Sequence, residues 1–112
     1  LERADDIGRE TGVRNLSYGH AGDGNLHVNF LWNDDAERPA VDRAIGLLMK
    51  SAIDLGGTLS GEHGIGVSKA AYLPLEQSAD LISLEKDIKR VFDPKGLLNP
   101  GKIFPSTGHS AC

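Results

Sequence analysis

Residues 18–30 read YGHAGDGNLHVNF, a glycine-rich centre with His20 on one side of it and His27 on the other. The segment after the centre alternates Leu26, Val28, Phe30 and Trp32 against His27, Asn29 and Leu31, the period of two of a half-buried strand. Residues 13–18, before it, also carry β-formers. Asp23-Gly24 between them is a strong hairpin signal, because a type I′ turn needs positive φ at both central residues. A two-residue turn on Asp23-Gly24, or a four-residue loop with the same pairing, sets Gly22 opposite Asn25, Ala21 opposite Leu26 and His20 opposite His27. Opposed residues project from one face with Cβ atoms roughly 5 Å apart. In this register both imidazoles reach a single ion at about 2.0–2.1 Å. Tyr18 and Asn29 project to the same side and form a second tier of a polar pocket. The competing reading is a solvated sheet face on which the histidines are incidental.

Outward from the hairpin, residues 1–10 (LERADDIGRE) have the pattern of an amphipathic helix, and Thr11-Gly12 marks its end, since glycine accepts the left-handed cap conformation. Residues 34–57 (DDAERPAVDRAIGLLMKSAIDLGG) place Val41, Ile45, Leu48, Met49, Ala52 and Ile53 on one helix face and Asp42, Arg43, Lys50 and Asp54 on the other. Gly56-Gly57 ends this second helix. A third helix is expected over 78–92 (SADLISLEKDIKRVF), with Ser78 as N-cap, a buried stripe of Leu81, Leu84, Ile88, Val91 and Phe92, and Glu85, Asp87, Lys89 and Arg90 in water. Residues 93–105 (DPKGLLNPGKIFP) form a turn-rich exit, and 106–112 (STGHSAC) a disordered tail in which His109 has no role.

Between the second and third helices, GGTLSGEHGIG at 56–66 reads as a short strand, 58–60, opening into a glycine-rich loop with adjacent Glu62 and His63. Gly61, Gly64 and Gly66 let the backbone approach a ligand closely. In extended backbone, neighbouring side chains point to opposite sides. That suits Glu62 as third ligand of an ion and His63 as a base facing a substrate. Two histidines and one carboxylate with open positions mark a catalytic rather than a structural metal site, and serve zinc, manganese or iron alike. The alternative is a solvated Glu-His pair on a flexible loop.

The chain has 112 residues, 39% of them hydrophobic, enough for one compact domain with a modest core, assigned to 1–105. A net charge of −4 and no Lys/Arg cluster interleaved with aromatics argue against a nucleic-acid surface. The single cysteine, Cys112, excludes an intrachain disulfide, and a reducing cytoplasmic setting is expected. No apolar run approaches the ~20 residues of a membrane span, and no secretory leader opens the sequence. The opening residues read as the last turns of a helix whose beginning is missing, so a fragment is expected.

Other chemistries lack their parts. GDGNLH at 22–27 has His27 where a dinucleotide-binding loop needs its third glycine, and it joins two strands rather than a strand and a helix. GEHGIGVSK at 61–69 has Val67 where a Walker loop needs lysine, and no H-E-x-x-H occurs. With its one cysteine in the tail, the chain has no thiol nucleophile in the folded part.

Three motifs, GHAGDGNLHVN at 19–29, GEHGIG at 61–66 and FDPKGLLNPGK at 92–102, taken in this order, resemble the C-terminal domain of FAD-linked oxidases, as in glycolate oxidase FAD-binding subunits, D-lactate dehydrogenases and D-2-hydroxyglutarate dehydrogenase. The resemblance implies an α+β fold: the C-terminal half of a ferredoxin-like cap, with an antiparallel sheet packed against helices and a flavin-binding domain missing from this chain. It places a divalent metal on His20, His27 and Glu62, makes His63 the general base, sets Asn29 against the substrate, and brings Asn99 or Lys102 near the flavin. A helix-terminating turn is an equal reading of those last two. The implied reaction is oxidation of a D-2-hydroxy acid to its 2-keto acid, with hydride passing to FAD and electrons onward to a further acceptor. The isolated chain is expected to lack turnover. Two other classes stay open: a binding module that dimerises through its sheet edge, with incidental histidines, and a metal-dependent hydrolase using the same three side chains.

Overall fold

A computed structural model describes residues 1–20 and 22–104, in two compact units, Leu1–Glu62 and the chain from His63 onward. The first unit runs through helix α1 (Glu2–Thr11), strand β1 (Arg14–His20), antiparallel strand β2 (Asn25–Leu31), a 3-10 turn (Asp35–Glu37) and helix α2 (Arg38–Asp54). The second holds a 3-10 helix (Ala70–Leu75) and helix α3 (Ala79–Phe92). The architecture is α+β, with a two-stranded antiparallel sheet against helices. The tail expected at 106–112 lies outside the described residues, as do Ala21 and residue 105. Among the described residues no helix is long and apolar enough to cross a membrane.

Helix α1 ends where its sequence predicts, on Gly12 at φ 73°. Ile7 of α1, Val13, Phe30 of β2, and Val41 and Ala44 of α2 form the core, with Val28, Ile45 and Leu48 packed around them. Ile7 and Val41 are wholly enclosed, at 0% and 1% exposed. Enclosing each such side chain stabilises the fold by about 1.5–3 kcal/mol. The α2 stripe is as expected at Val41, which is buried, and at Ile45 and Leu48, which are half-buried and packed against the core; Ala44 is wholly buried beside them, and Met49 and Ile53 are half-buried. Helices can approach closely only where a small side chain stands at the contact. Asp42, Arg43, Lys50 and Asp54 face outward, and Arg38 and Lys50 pair with Asp42 and Asp54 at 2.9 and 2.6 Å.

The hairpin has two unlike faces. Asn15, Ser17, Val28 and Phe30 face the helices, and the Asn15 side-chain amide donates to the Ala4 carbonyl at 3.1 Å. Leu16, Tyr18, His20, Asn25, His27 and Asn29 share the opposite face.

The register differs from the expected one by two residues. His27 pairs with Tyr18, Leu26 with Gly19, and His20 with Asn25 rather than with His27. The turn is not type I′: Gly24 has φ 73°, but Asp23 is not among the residues with positive φ. Instead the Asp23 carboxylate accepts the Asn25 N–H at 2.9 Å, a local Asx bond that ends the loop at Asn25 and moves the turn's centre toward the N-terminus. A slip of two keeps every side chain on its face. Both imidazoles therefore still project to one side, placed diagonally instead of directly opposed.

Two further expectations are corrected. Residues 58–60 form no strand; this stretch is irregular and is anchored by Leu59, which is buried. The stripe on α3 is not buried: Leu81, Leu84, Ile88, Val91 and Phe92 are all exposed, Phe92 to 79%. Amphipathic spacing specifies a helix, but burial needs a facing layer, which the described residues do not provide here. The N-cap is as expected, with the Ser78 hydroxyl accepting the Leu81 N–H at 3.2 Å.

The exit after α3 is organised by Asp93, whose buried carboxylate accepts from Lys89 Nζ at 2.6 Å and from the Leu97 and Leu98 amides at 2.8 and 3.0 Å. The Lys89 hydrogen bond, helped by the two amides and opposed by burial, holds its pKa below the ordinary aspartate value. A carboxyl with a depressed folded pKa stabilises the fold above its unfolded value, about 3.9, and that contribution is lost as pH falls through the lower folded value. Hydrogen exchange should therefore show Leu97 and Leu98 amides protected at neutral pH and losing protection in strong acid. Asp93→Asn should lack that acid transition. Protection independent of pH in the unaltered chain would contradict this account.

Candidate functional site

The outer face of the hairpin presents His20 at the end of β1 and His27 within β2, with ring centroids 6.0 Å apart in an edge-on arrangement. The carboxylate of Glu62, at the end of the first unit, reaches both. Its Oε1 is 2.9 Å from His27 Nε2 and 4.0 Å from His20 Nε2. One ligand atom from each of the three residues lies within 4.8 Å of the other two. Donors each about 2.1 Å from a tetrahedral ion are about 3.4 Å apart. Contraction of up to about 1.4 Å at the widest pair would close the set around an ion, and neutral imidazole with carboxylate suits a borderline divalent cation.

His27 is the more enclosed of the pair, with its side chain 23% exposed against 63% for His20. Its ring stacks on Tyr18 with centroids 5.1 Å apart and planes 26° from parallel, so one ring face is covered while Nε2 meets the carboxylate. Asn29 is exposed on the same face, opposite Leu16. His63 is exposed and begins the second unit. Asn99 and Lys102 lie in an exposed turn, where Asn99 has φ 45° and its carbonyl accepts the Lys102 N–H at 3.3 Å. The structure thus brings His20, His27 and Glu62 together and gives Asn99 and Lys102 the geometry of a turn.

One residue next to the three donors escapes sequence reasoning. Asn25 reads as a turn flank, yet it pairs with His20 across the ladder, and its side chain lies against Gly61, one residue before Glu62. The signal available was a glycine directly before a candidate ligand.

The chain belongs to the family "FAD linked oxidases, C-terminal domain", whose model matches residues 1–103. Among curated proteins it is similar to the glycolate oxidase subunit GlcD of Bacillus subtilis, 41% identical over 93% of this chain and 23% of that protein. It is likewise similar to a D-lactate dehydrogenase of Archaeoglobus fulgidus, 42% identical over 90% of this chain and 22% of the relative. A D-2-hydroxyglutarate dehydrogenase of Xanthomonas citri is 45% identical over 78% of this chain and 19% of the relative. The chain spans about a fifth of the length of these relatives.

Proposed function

We propose that this chain is the metal- and substrate-binding part of a flavin-dependent oxidoreductase that converts a D-2-hydroxy acid to its 2-keto acid. The observation that carries the proposal is the convergence of His20, His27 and Glu62 on one face of a domain belonging to the FAD-linked oxidases. Names of the similar proteins, which include glycolate, D-lactate and D-2-hydroxyglutarate enzymes, support a small 2-hydroxy acid as substrate.

In this reading His20, His27 and Glu62 hold a divalent metal. When bound, the ion supplies positive charge for the substrate's carboxylate and hydroxyl oxygens, and FAD, held mainly by the rest of the whole protein, supplies a two-electron acceptor. His63, next in sequence to Glu62, takes the hydroxyl proton as hydride leaves Cα. Asn29, on the same face as the ligands, orients the substrate through its amide. Asn99 and Lys102 are candidates for contacts to the flavin.

The test uses the whole oxidase containing this chain, mixed without oxygen with D-lactate, glycolate or D-2-hydroxyglutarate. Bleaching of the flavin by at least one of them is expected. It should slow by about 10²–10⁴ in His63→Ala, the range a positioned general base contributes. Hydrolytic products without flavin reduction would replace this reading with a hydrolase, and flavin reduction by the 112-residue chain with free FAD alone would contradict the division of labour.

A further inference from the structure

Glu62 is the one donor of the three that no regular element holds. His20 and His27 sit on a hydrogen-bonded ladder, whereas residues 58–62 belong to no helix or strand. A carboxylate on irregular backbone needs something to fix its distance from the imidazoles, because a metal site loosened by about 1 Å loses its preorganisation. Leu59, buried three residues earlier, anchors the segment from one end. Asn25 is a second anchor.

Asn25 is fixed on two sides. Its backbone N–H is held by Asp23, and it stands opposite His20 in the ladder. Its half-buried side chain fills the space directly over Gly61. A Cβ built on Gly61 would collide with Asn25 Oδ1 and come within 2.8 Å of its Cγ and 3.3 Å of its Nδ2. Gly61 does not have positive φ, so the requirement for glycine is one of space rather than of backbone conformation. The flat amide and the bare Cα fit together, and the residue after that Cα is the metal-facing carboxylate.

We infer that Asn25 is a positioning residue: by seating on Gly61 it ties the Glu62 segment to the histidine hairpin and sets the spacing of the three donors. This inference rests on the proposed metal site. Asn25 touches no substrate in it and acts through Glu62.

The test is zinc titration calorimetry on the full chain. Disturbing an outer partner of a metal ligand typically weakens binding about 10–100-fold. Gly61→Ala, which forces the amide aside, and Asn25→Ala, which removes it, are each expected to fall in that range. Combining them should recover part of the loss, since the added methyl then has room. In a Glu62→Ala background, Asn25→Ala should leave the residual affinity unchanged, while any general effect on stability would persist in thermal unfolding. A second measurement needs no metal: in Asn25→Ala the ¹⁵N order parameter of the Glu62 amide should drop. Unchanged zinc affinity in both single variants, beside a clear loss in Glu62→Ala, overturns the inference and leaves the metal site standing. If the unaltered chain takes up no zinc, the metal site fails and the order parameter alone decides; no drop at Glu62 overturns the tie.

Discussion

Replacing His27 by alanine should lower the affinity of the chain for a divalent metal by more than about 100-fold, beyond the range seen when only an outer partner of a ligand is disturbed. The magnitude follows from where the ring sits. His27 Nε2 is 2.9 Å from Glu62 Oε1, and the ring is stacked on Tyr18, so His27 is the preorganised half of the imidazole pair. His20 is more exposed and 4.0 Å from the same oxygen. His20→Ala should therefore weaken binding less than His27→Ala, because more of the order of His20 is imposed only on binding. Glu62→Ala should resemble His27→Ala, since it removes the only anionic ligand of the set. Elemental analysis of purified chains, followed by calorimetry, reads all three. Equal metal content in the unaltered chain and in His27→Ala would show that the ion, if any, lies elsewhere, and the dehydrogenase reading would then stand on family membership alone.

Gly19→Ala should destabilise the first unit by about 3 kcal/mol, the upper part of the usual cost of forcing atoms into a filled space. Gly19 pairs with Leu26, and a Cβ on it would run into the Asn25 carbonyl oxygen and lie 3.0 Å from the Leu26 Cα. Both obstacles are backbone, so no rotamer change relieves them, and the strands must separate next to His20. Gly22→Ala supplies the control. It lies in the same loop region and would place a Cβ with nothing within 4 Å, so its melting point should move little. Denaturant unfolding followed by circular dichroism separates the two. Similar midpoints for Gly19→Ala and the unaltered chain would mean that the hairpin tolerates a wider strand spacing than the structure shows.

Both predictions rest on features that sequence and tertiary structure determined separately. Helix α1 and its glycine cap, the hairpin around residue 22, helix α2 and the Ser78 cap of α3 were all readable, because each depends on local periodicity or on the torsional needs of a residue at a known offset. The three donors were readable for a related reason. Strand side chains alternate with period two, so a register error of two residues left His20 and His27 on one face even though their direct opposition was wrong. The register goes with local loop bonds, from the Asn25 N–H to the Asp23 carboxylate and from the Asp23 N–H to the His20 carbonyl, that turn propensity does not distinguish from a type I′ hairpin.

Other outcomes came from contacts between segments distant in sequence, and no local rule reaches those. Ala44 is buried in one cluster with Ile7 of α1, whereas Met49 is only half-buried. The α3 stripe, legible as a helix signal, is exposed because burial depends on a facing layer rather than on spacing. Asn25 shows the same limit at the site. Nothing in GDGN indicates that its asparagine will lie against a glycine 36 positions later, and only the folded chain brings Gly61 there. Residue type and strand alternation alone mark which side chains could bind a metal and put the two imidazoles on one face. The distances between them were decided by tertiary packing, because Glu62 belongs to a segment outside any helix or strand, where backbone periodicity does not set a side chain's position.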